Sequence, residues 1–371
     1  MLKTIVVPIV KNRTGDISDG TNYRPISLAT VISKVFDSVL NSQLDVFLKL
    51  HYGQHGFRRG LSTESAILSL KHTVRYYTDR RTPVYACFLD LSKAFDLVAY
   101  NLLWDKLEKM GLSRELLEVF KYWYGSQVNF VKWADVFSEP YKMECGVRQG
   151  GGGGLTSPNL FNLYVNELVE ELSSTHIGCH IGHVCVNNAS YADDMVLLAP
   201  SISALRKLLK ICESYAGIHG LVYNVAKSEY MVFKAGNKYL KDDVDMERER
   251  RVFARCSIAV KVTLFKAYCT SFYSSSLWVK YTQKSYSALR VQYNNAFRAL
   301  LKLPRFCSAS SMFAHADVDS FSAILRKKAA TLLHRIRGSS DGLLKEVADG
   351  GSCPFVGNLV NITKSLVKYE Y

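Results

Sequence analysis

Asp193 and Asp194 are adjacent carboxylates in the stretch Ser190-Tyr191-Ala192-Asp193-Asp194-Met195-Val196-Leu197-Leu198, with apolar runs on either side. Neighbouring anions repel, and taking them out of water without a partner is costly. A hard divalent cation removes both penalties, and aspartate oxygens suit Mg²⁺ or Mn²⁺. An isolated Asp-Asp pair is more often a solvated turn, but a second segment here has the complementary shape. Tyr85-Ala86-Cys87-Phe88-Leu89-Asp90-Leu91 is apolar and carries a single acid near its end. Two strands that each end in carboxylate can share a pair of ions about 3.5–4 Å apart, an arrangement suited to phosphoryl and nucleotidyl transfer.

Elements must bring those acids together. His183-Val184-Cys185-Val186 and Met195 to Ala199 read as strands, which places Asp193 and Asp194 at the tight end of a hairpin. Pro83 marks the entry to the strand that ends at Asp90. Ile32, Val35, Phe36, Val39 and Leu40 recur at helical spacing and predict a core-facing helix. Ser62 or Thr63 caps a further helix carrying Ala66, Ile67, Leu70 and Val74. Helices are expected over 102–110, stopped by Gly111, over 116–124, from Pro158 to Leu168, and through Leu205, Leu208, Leu209 and Cys212. Gln127 to Trp133 reads as a strand. From Val260 to Leu303 and from Phe321 to Ile336 the pattern is helical and basic.

Composition narrows the partners. Of the net charge of +14, most lies from Arg251 onward, where 18 Lys and Arg face 6 Asp and Glu. Basic residues interleaved with aromatics suit a phosphate backbone; a solubilising surface or an anionic membrane contact is the plainer alternative. At 48% hydrophobic residues the chain is not globally disordered. No run approaches the ~18 apolar residues of a membrane span. Nine cysteines without a Cys-x-x-Cys pair or a secretory signal imply a reducing compartment, so the chain is expected inside the cell, in nucleus and cytoplasm, and not secreted. His176, Cys179, His180, His183 and Cys185 cluster, but not at the paired spacing of structural zinc.

Phe88-Leu89-Asp90-Leu91-Ser92-Lys93-Ala94-Phe95-Asp96 resembles the first catalytic motif of reverse transcriptases, and Tyr191-Ala192-Asp193-Asp194 resembles their third. Gly146-Val147-Arg148-Gln149-Gly150 with Ser157-Pro158-Asn159-Leu160-Phe161-Asn162 resembles the second, in the family's order. The branch most similar is that of non-LTR (LINE-type, jockey-like) retrotransposons, from about Pro8 to Phe233 and less firmly to Arg337. The resemblance implies an α/β (α+β palm) right-hand polymerase with fingers, palm and helical thumb. Fingers and palm are expected to interleave over 1–240, with a basic thumb or connection region over 241–371. It implies an RNA-directed DNA polymerase acting in retrotransposition, with an RNA template, a DNA primer or target and dNTPs as partners, and no membrane.

Site roles follow from the same resemblance. Asp90, the Leu91 carbonyl, Asp193 and Asp194 are expected to hold two Mg²⁺ ions. Lys227, in Gly220-Leu221-Val222-Tyr223-Asn224-Val225-Ala226-Lys227-Ser228-Glu229, matches a lysine that protonates departing pyrophosphate. Arg58 matches a basic residue that binds the triphosphate, Gln149 lies near the nucleotide, and Phe95 matches the ring that screens out a 2′-OH. Bulky Phe95 disfavours an RNA-dependent RNA polymerase. Two departures from the family pattern stand out. Gly150 to Gly154 is a run of five glycines, about three more than relatives carry, which could displace Gln149. The primer-gripping hairpin expected from Lys238-Tyr239-Leu240 gives way to the charged run Lys241 to Arg250, as if by deletion. An N-terminal endonuclease domain, expected of a full element, is not recognised. The alternative is a catalytically inactive relic that only binds nucleic acid.

Overall fold

The computed structural model describes residues 3–150, 154–225, 227–234, 262, 265–266, 269–270, 272, 274–278, 281–339, 342–349 and 353–364. The chain divides into two compact units, Met1–Thr63 with Tyr76–Ala235, and Glu64–Arg75 with Gly236–Tyr371.

Two four-stranded sheets frame the first unit. In one, β1 (Lys3–Val10) pairs antiparallel with β2 (Tyr23–Ala29) and parallel with β4 (Val128–Trp133), which turns back into β5 (Val136–Phe137). The other sheet is antiparallel throughout, in the order β10-β3-β9-β8. Its strands are β3 (Val84–Leu89), β8 (Asn188–Tyr191), β9 (Asp194–Ala199) and β10 (Glu229–Phe233). The register sets Leu89 against Met195, Tyr191 against Asp194, and Glu229 against Phe88. One end of this sheet therefore gathers the C-terminus of β3, the β8–β9 turn and the start of β10. A small hairpin, β6 (His180–Ile181) with β7 (Val184–Cys185), precedes β8.

Helices α3 (Tyr100–Lys109), α4 (Arg114–Gly125), α5 (Ser157–Ser174) and α6 (Ile202–His219) build one core with that sheet. Helix α5 is central: Leu160, Phe161, Tyr164, Val165, Leu168 and Leu172 are all buried, and so are its polar Asn162 and Asn166. Inside this core, buried Lys106 pairs with Glu167 and donates to the Tyr215 hydroxyl at 3.2 Å. Gly220 closes α6 in the left-handed conformation, at φ +64°.

Helix α1 (Val31–Phe47) forms where its periodicity predicts, but with a different face inward. Ser33, Asp37, Leu40 and Leu44 are buried, whereas Ile32, Val35 and Val39 are 66%, 61% and 53% exposed. Only Leu40 of the expected set is fully buried, while Phe36 is partly buried against Trp123, with ring centroids 4.7 Å apart. The reason is polar: Asp37 is needed beneath the start of α5, and Ser33, Leu40 and Leu44 share its side of the helix. The hairpin that ends in the two aspartates also differs from expectation. Its first strand is Asn188–Tyr191, while Val184–Cys185 pairs back on His180–Ile181.

The second unit takes Glu64–Arg75 from α2 (Thr63–Asp79) and adds α7 (Gln283–Leu301), α8 (Ala309–His315), α9 (Phe321–Arg337), α10 (Gly342–Asp349) and α11 (Pro354–Lys364). Phe265, Phe272, Tyr293, Phe297, Phe313 and Phe321 form its aromatic centre. The Thr282 and Ser320 side chains cap α7 and α9 by accepting from the Ser285 and Ala323 N–H groups. Among the described residues every cysteine is free, and no helix is long and apolar enough to cross a membrane.

Candidate active site

The turn between β8 and β9 has two central residues, Ala192 and Asp193, since Tyr191 pairs directly with Asp194. Ala192 sits at φ +60°, a position that glycine usually fills. A non-glycine residue holds such a conformation when its surroundings fix it, and here a distant loop does so. The Ala192 N–H donates to Gln54 Oε1 at 3.1 Å, and the Gly56 N–H donates to the same oxygen at 2.9 Å. The His55 N–H donates to the Ser190 carbonyl and the Ser190 N–H to the Gly53 carbonyl, each at 2.7 Å. Gly56 lies so close that a Cβ there would fall 2.3 Å from the Ala192 nitrogen. From α5, Asn162 Nδ2 donates to the Gly56 carbonyl at 2.8 Å. Gln54 is fully buried. The segment 53–56 is thus clamped onto the turn that presents Asp193 and Asp194.

Asp90 follows β3 at the same end of the sheet. The Asn224 N–H donates to the Asp90 carbonyl at 2.8 Å, and the Ser92 N–H donates to the Val222 carbonyl at 2.7 Å. This short ladder pairs Leu91 with Tyr223 but uses the flanking groups, not the N–H and carbonyl of Leu91 itself. Asn224 then organises the turn into β10: its carbonyl accepts from the Ser228 N–H and hydroxyl, and its Oδ1 accepts from the Lys227 N–H at 3.3 Å. That turn brings Lys227 Nζ to 3.6 Å from Asp90 Oδ2, with the lysine side chain 65% exposed.

Burial raises the carboxyl pKa of Asp193, the negative charges of Asp194 and Asp90 raise it further, and Lys227 opposes them. Asp194 is shifted upward by burial and by Asp90, again opposed by Lys227. These are carboxylates whose charge is incompletely compensated by protein groups, the condition a bound cation would relieve. The three-aspartate donor set is chemically suited to a hard divalent ion, and the sheet gathers it at one end. The side chains are not closed into a cage, however: among the described residues no three His, Cys, Asp or Glu side chains are drawn together tightly enough to hold a metal. The same holds for His176, Cys179, His180, His183 and Cys185.

The other candidate residues are held by separate contacts. Phe95 stacks on buried Phe161 at 4.9 Å and 15°, and its carbonyl accepts from the Val147 N–H at 2.8 Å. Gly146 has φ +90°, and a Cβ there would lie 2.8 Å from the Asp96 carbonyl oxygen, so the Gly146-Val147 pair lies flush against the Phe95-Asp96 turn. Arg58 Nη1 donates to the His51 and Gln54 carbonyls at 2.8 and 3.1 Å, so this arginine also ties its own loop. With Arg59, Phe57, Leu155, Pro158 and Asn159 it borders a cleft of about 500 Å³. Gln149 is anchored through its carbonyl, which accepts from the Ser27 N–H at 3.0 Å.

Asp37 secures the other side of the glycine run. Its carboxylate accepts from the Leu155 N–H, from the Thr156 N–H at 3.1 Å and from Thr156 Oγ1 at 2.7 Å. Helix α5 has no side-chain cap of its own from Thr156, so buried Asp37 satisfies the N–H groups of the two residues that lead into it and meets the positive end of its dipole. Gly151 to Gly153 lie outside the described residues, as do Lys238-Tyr239-Leu240 and the run Lys241 to Arg250. Sequence reasoning missed Gln54, Gly56, Asn162, Asp37 and Asn224. Asp37, a lone acid among Val35, Phe36, Val39 and Leu40, was the one available signal.

A family model described as "Reverse transcriptase (RNA-dependent DNA polymerase)" matches residues 11–285. Among curated proteins, the retrovirus-related Pol polyprotein from type-2 retrotransposable element R2DM of Drosophila melanogaster is 29% identical over 234 residues, which is 61% of this chain and 21% of that protein. The RNA-directed DNA polymerase from mobile element jockey of Drosophila funebris is 26% identical over 227 residues, 58% of this chain and 24% of that protein. The chain thus spans about a fifth to a quarter of the length of these two relatives. Among solved structures, a telomerase from Candida albicans in complex with a TWJ fragment of telomeric RNA aligns over 100% of this chain and 63% of its own, with a TM-score of 0.50 and 12% identity. That likeness speaks to fold alone.

Proposed function

The chain belongs to the reverse transcriptase (RNA-dependent DNA polymerase) family and has the right-hand polymerase fold, and from that premise we propose that it extends a DNA primer 3′-OH with dNTPs on an RNA template, in retrotransposition. The observation that carries this is the sheet end where Asp90, Asp193 and Asp194 converge beside Lys227. In this reading residues up to about 240 form fingers and palm, and those after it a basic thumb.

Asp90, Asp193, Asp194 and the Leu91 carbonyl would hold two Mg²⁺ ions, or Mn²⁺, whose charge favours 3′-oxygen attack on the α-phosphorus and neutralises the pyrophosphate that leaves. The remaining steps belong to the chain's own side chains. Gln54 and Gly56 fix the turn so that the two adjacent carboxylates keep their spacing to Asp90, which is the preorganisation such chemistry needs. Lys227 sits beside Asp90. A triphosphate brings more negative charge than one carboxylate, so the exposed ammonium turns toward it and gives its proton to the departing oxygen. Arg58 and Arg59 present guanidinium groups at the cleft to a polyphosphate, and Gln149 borders the nascent pair. The Phe95 ring closes the space that a ribose 2′-OH would need.

Incorporation of dNTPs on a primed RNA template with Mg²⁺, measured beside an Asp193→Asn/Asp194→Asn double variant, tests this. Incorporation that disappears in the double variant is the expected result. A folded chain that binds template and incorporates nothing would leave only the non-catalytic, nucleic-acid-binding reading.

A further inference from the structure

Phe57 holds an unusual conformation for its type. Its φ is +55°, in the left-handed region that a bulky side chain rarely enters, and it is 50% exposed. Burial of apolar surface therefore does not explain the conformation, and such outliers persist where neighbouring structure over-determines them. The neighbours here are specific. Gly56, the preceding residue, is trapped between the Ala192 backbone and the Asn162 side chain. Arg58, the following residue, is tied by its guanidinium to the carbonyls of His51 and Gln54. Between two fixed residues, Phe57 is aimed in one direction: edge to face against Phe95, with centroids 6.4 Å apart and planes at 87°.

Phe95 is thereby held on two sides. Phe161 stacks on it at 4.9 Å and 15°, and Phe161 is itself fully buried. A stacked ring alone can slide or tilt over its neighbour; a second ring set perpendicular to the first removes that freedom. We propose that Phe57 is a positioning residue for sugar selection, bracing the Phe95 ring against Phe161 so that it keeps its place against the 2′ position of the incoming nucleotide. The inference rests on the reading of Phe95 as the sugar gate.

The measurement is the ratio of kcat/KM for a dNTP to that for the matching rNTP, on a primed RNA template, in wild type and in Phe57→Gly, Phe57→Tyr and Phe95→Val. Phe57→Gly removes the ring and also relieves the backbone, because glycine adopts positive φ freely. It is expected to melt at or above the wild-type temperature while its sugar selectivity falls roughly three- to tenfold, the size of one edge-to-face ring contact. A purely structural role would move stability downward and leave the ratio alone. Phe57→Tyr keeps the ring and should keep the ratio. Phe95→Val should lose most of the selectivity. If Phe95→Val loses it and Phe57→Gly does not, the brace is refuted and the gate stands. If Phe95→Val leaves the ratio unchanged, or the wild type incorporates neither substrate, the underlying reading falls and the brace with it.

Discussion

Gly56→Ala is the smallest change that should separate the fold from its catalysis. The added Cβ would stand 2.3 Å from the Ala192 nitrogen, 2.9 Å from the Tyr191 carbonyl carbon and 3.1 Å from Ala192 Cα. All three are backbone atoms, so no side-chain rotation relieves the contact. Ordinary van der Waals separation begins near 3.4 Å, and loop and turn must therefore part by about 1 Å. The turn is the softer partner, because its two central residues are held from this side by one hydrogen bond to Gln54. Asp193 and Asp194 move with it. A misplacement of about 1 Å in a reacting constellation lowers turnover by roughly 100-fold, or about 2.7 kcal/mol in barrier. Overpacking of this kind costs about 1–3 kcal/mol of stability, which leaves the domain folded. The assay is steady-state dNTP incorporation on a primed RNA template, with circular dichroism melting in parallel. Gly125→Ala is the control, since a Cβ there meets nothing within 4 Å. Wild-type turnover in Gly56→Ala would refute the clamp. A loss of activity that matches loss of folded protein would refute the claim that the turn, and not the fold, is what moves.

Other expectations follow from the same geometry. Because folding raises the pKa of Asp193 and Asp194, the native state binds protons more tightly than the unfolded chain, so stability falls as pH rises from roughly 3.9 through the raised values. Asp193→Asn should therefore raise the melting temperature at pH 7, with the gain vanishing below about pH 4; a gain that persists in acid would point to packing instead. Mg²⁺ at ten times its dissociation constant should stabilise the wild type by about 1.4 kcal/mol and the Asp193→Asn/Asp194→Asn double variant hardly at all, as differential scanning calorimetry would show; equal shifts would place the ion elsewhere. Asp37→Ala leaves the Leu155 and Thr156 N–H groups and the Thr156 hydroxyl without their acceptor and should cost about 1–3 kcal/mol in urea unfolding; an unchanged midpoint would mean α5 needs no support from α1. Lys227→Met should lower turnover about 10²- to 10⁴-fold, the usual range for a general acid. Unchanged turnover would show that another group supplies the proton.

The acidic strand end was legible because its signal is local. Five apolar residues followed by one acid, and an acid pair at a turn between strands, can be read without knowing what packs on them. The hairpin partner was not legible for an instructive reason. His183–Val186 is the more apolar stretch, but Asn188–Tyr191 makes the ladder, with Asn188 and Ser190 buried in it. Asn188 Nδ2 donates to Ser173 Oγ and to Asn187 Oδ1, and hydropathy has no way to score polar side chains that are buried within a strand. Helix α1 fails in the same manner. Its valines and isoleucine trace a clean stripe, yet one aspartate needed at a helix start 118 residues away decides which face turns inward. The clamp of Gln54 on Ala192 spans 138 residues, so its existence is a property of the fold and not of either segment.

The same anchors bear on the glycine run, the strongest reason in the sequence for doubting catalysis. A long insertion threatens a site when it sits between a reactive residue and the only thing that positions it. Here each side has an independent attachment. Gln149 is fixed upstream by its carbonyl on Ser27, and the start of α5 is fixed downstream by Asp37 and by Tyr124, whose hydroxyl lies 3.0 Å from Thr156 Oγ1. Neither attachment passes through the glycines. Added residues between two ends that are already fixed contribute chiefly closure entropy, which grows by only about 0.6 kcal/mol for each doubling of loop length. Helix α5 in turn positions Phe161 under Phe95 and Asn162 under Gly56. The Phe95 ring and the aspartate turn are therefore referenced to α5 and to the sheet, and the length of the run enters neither.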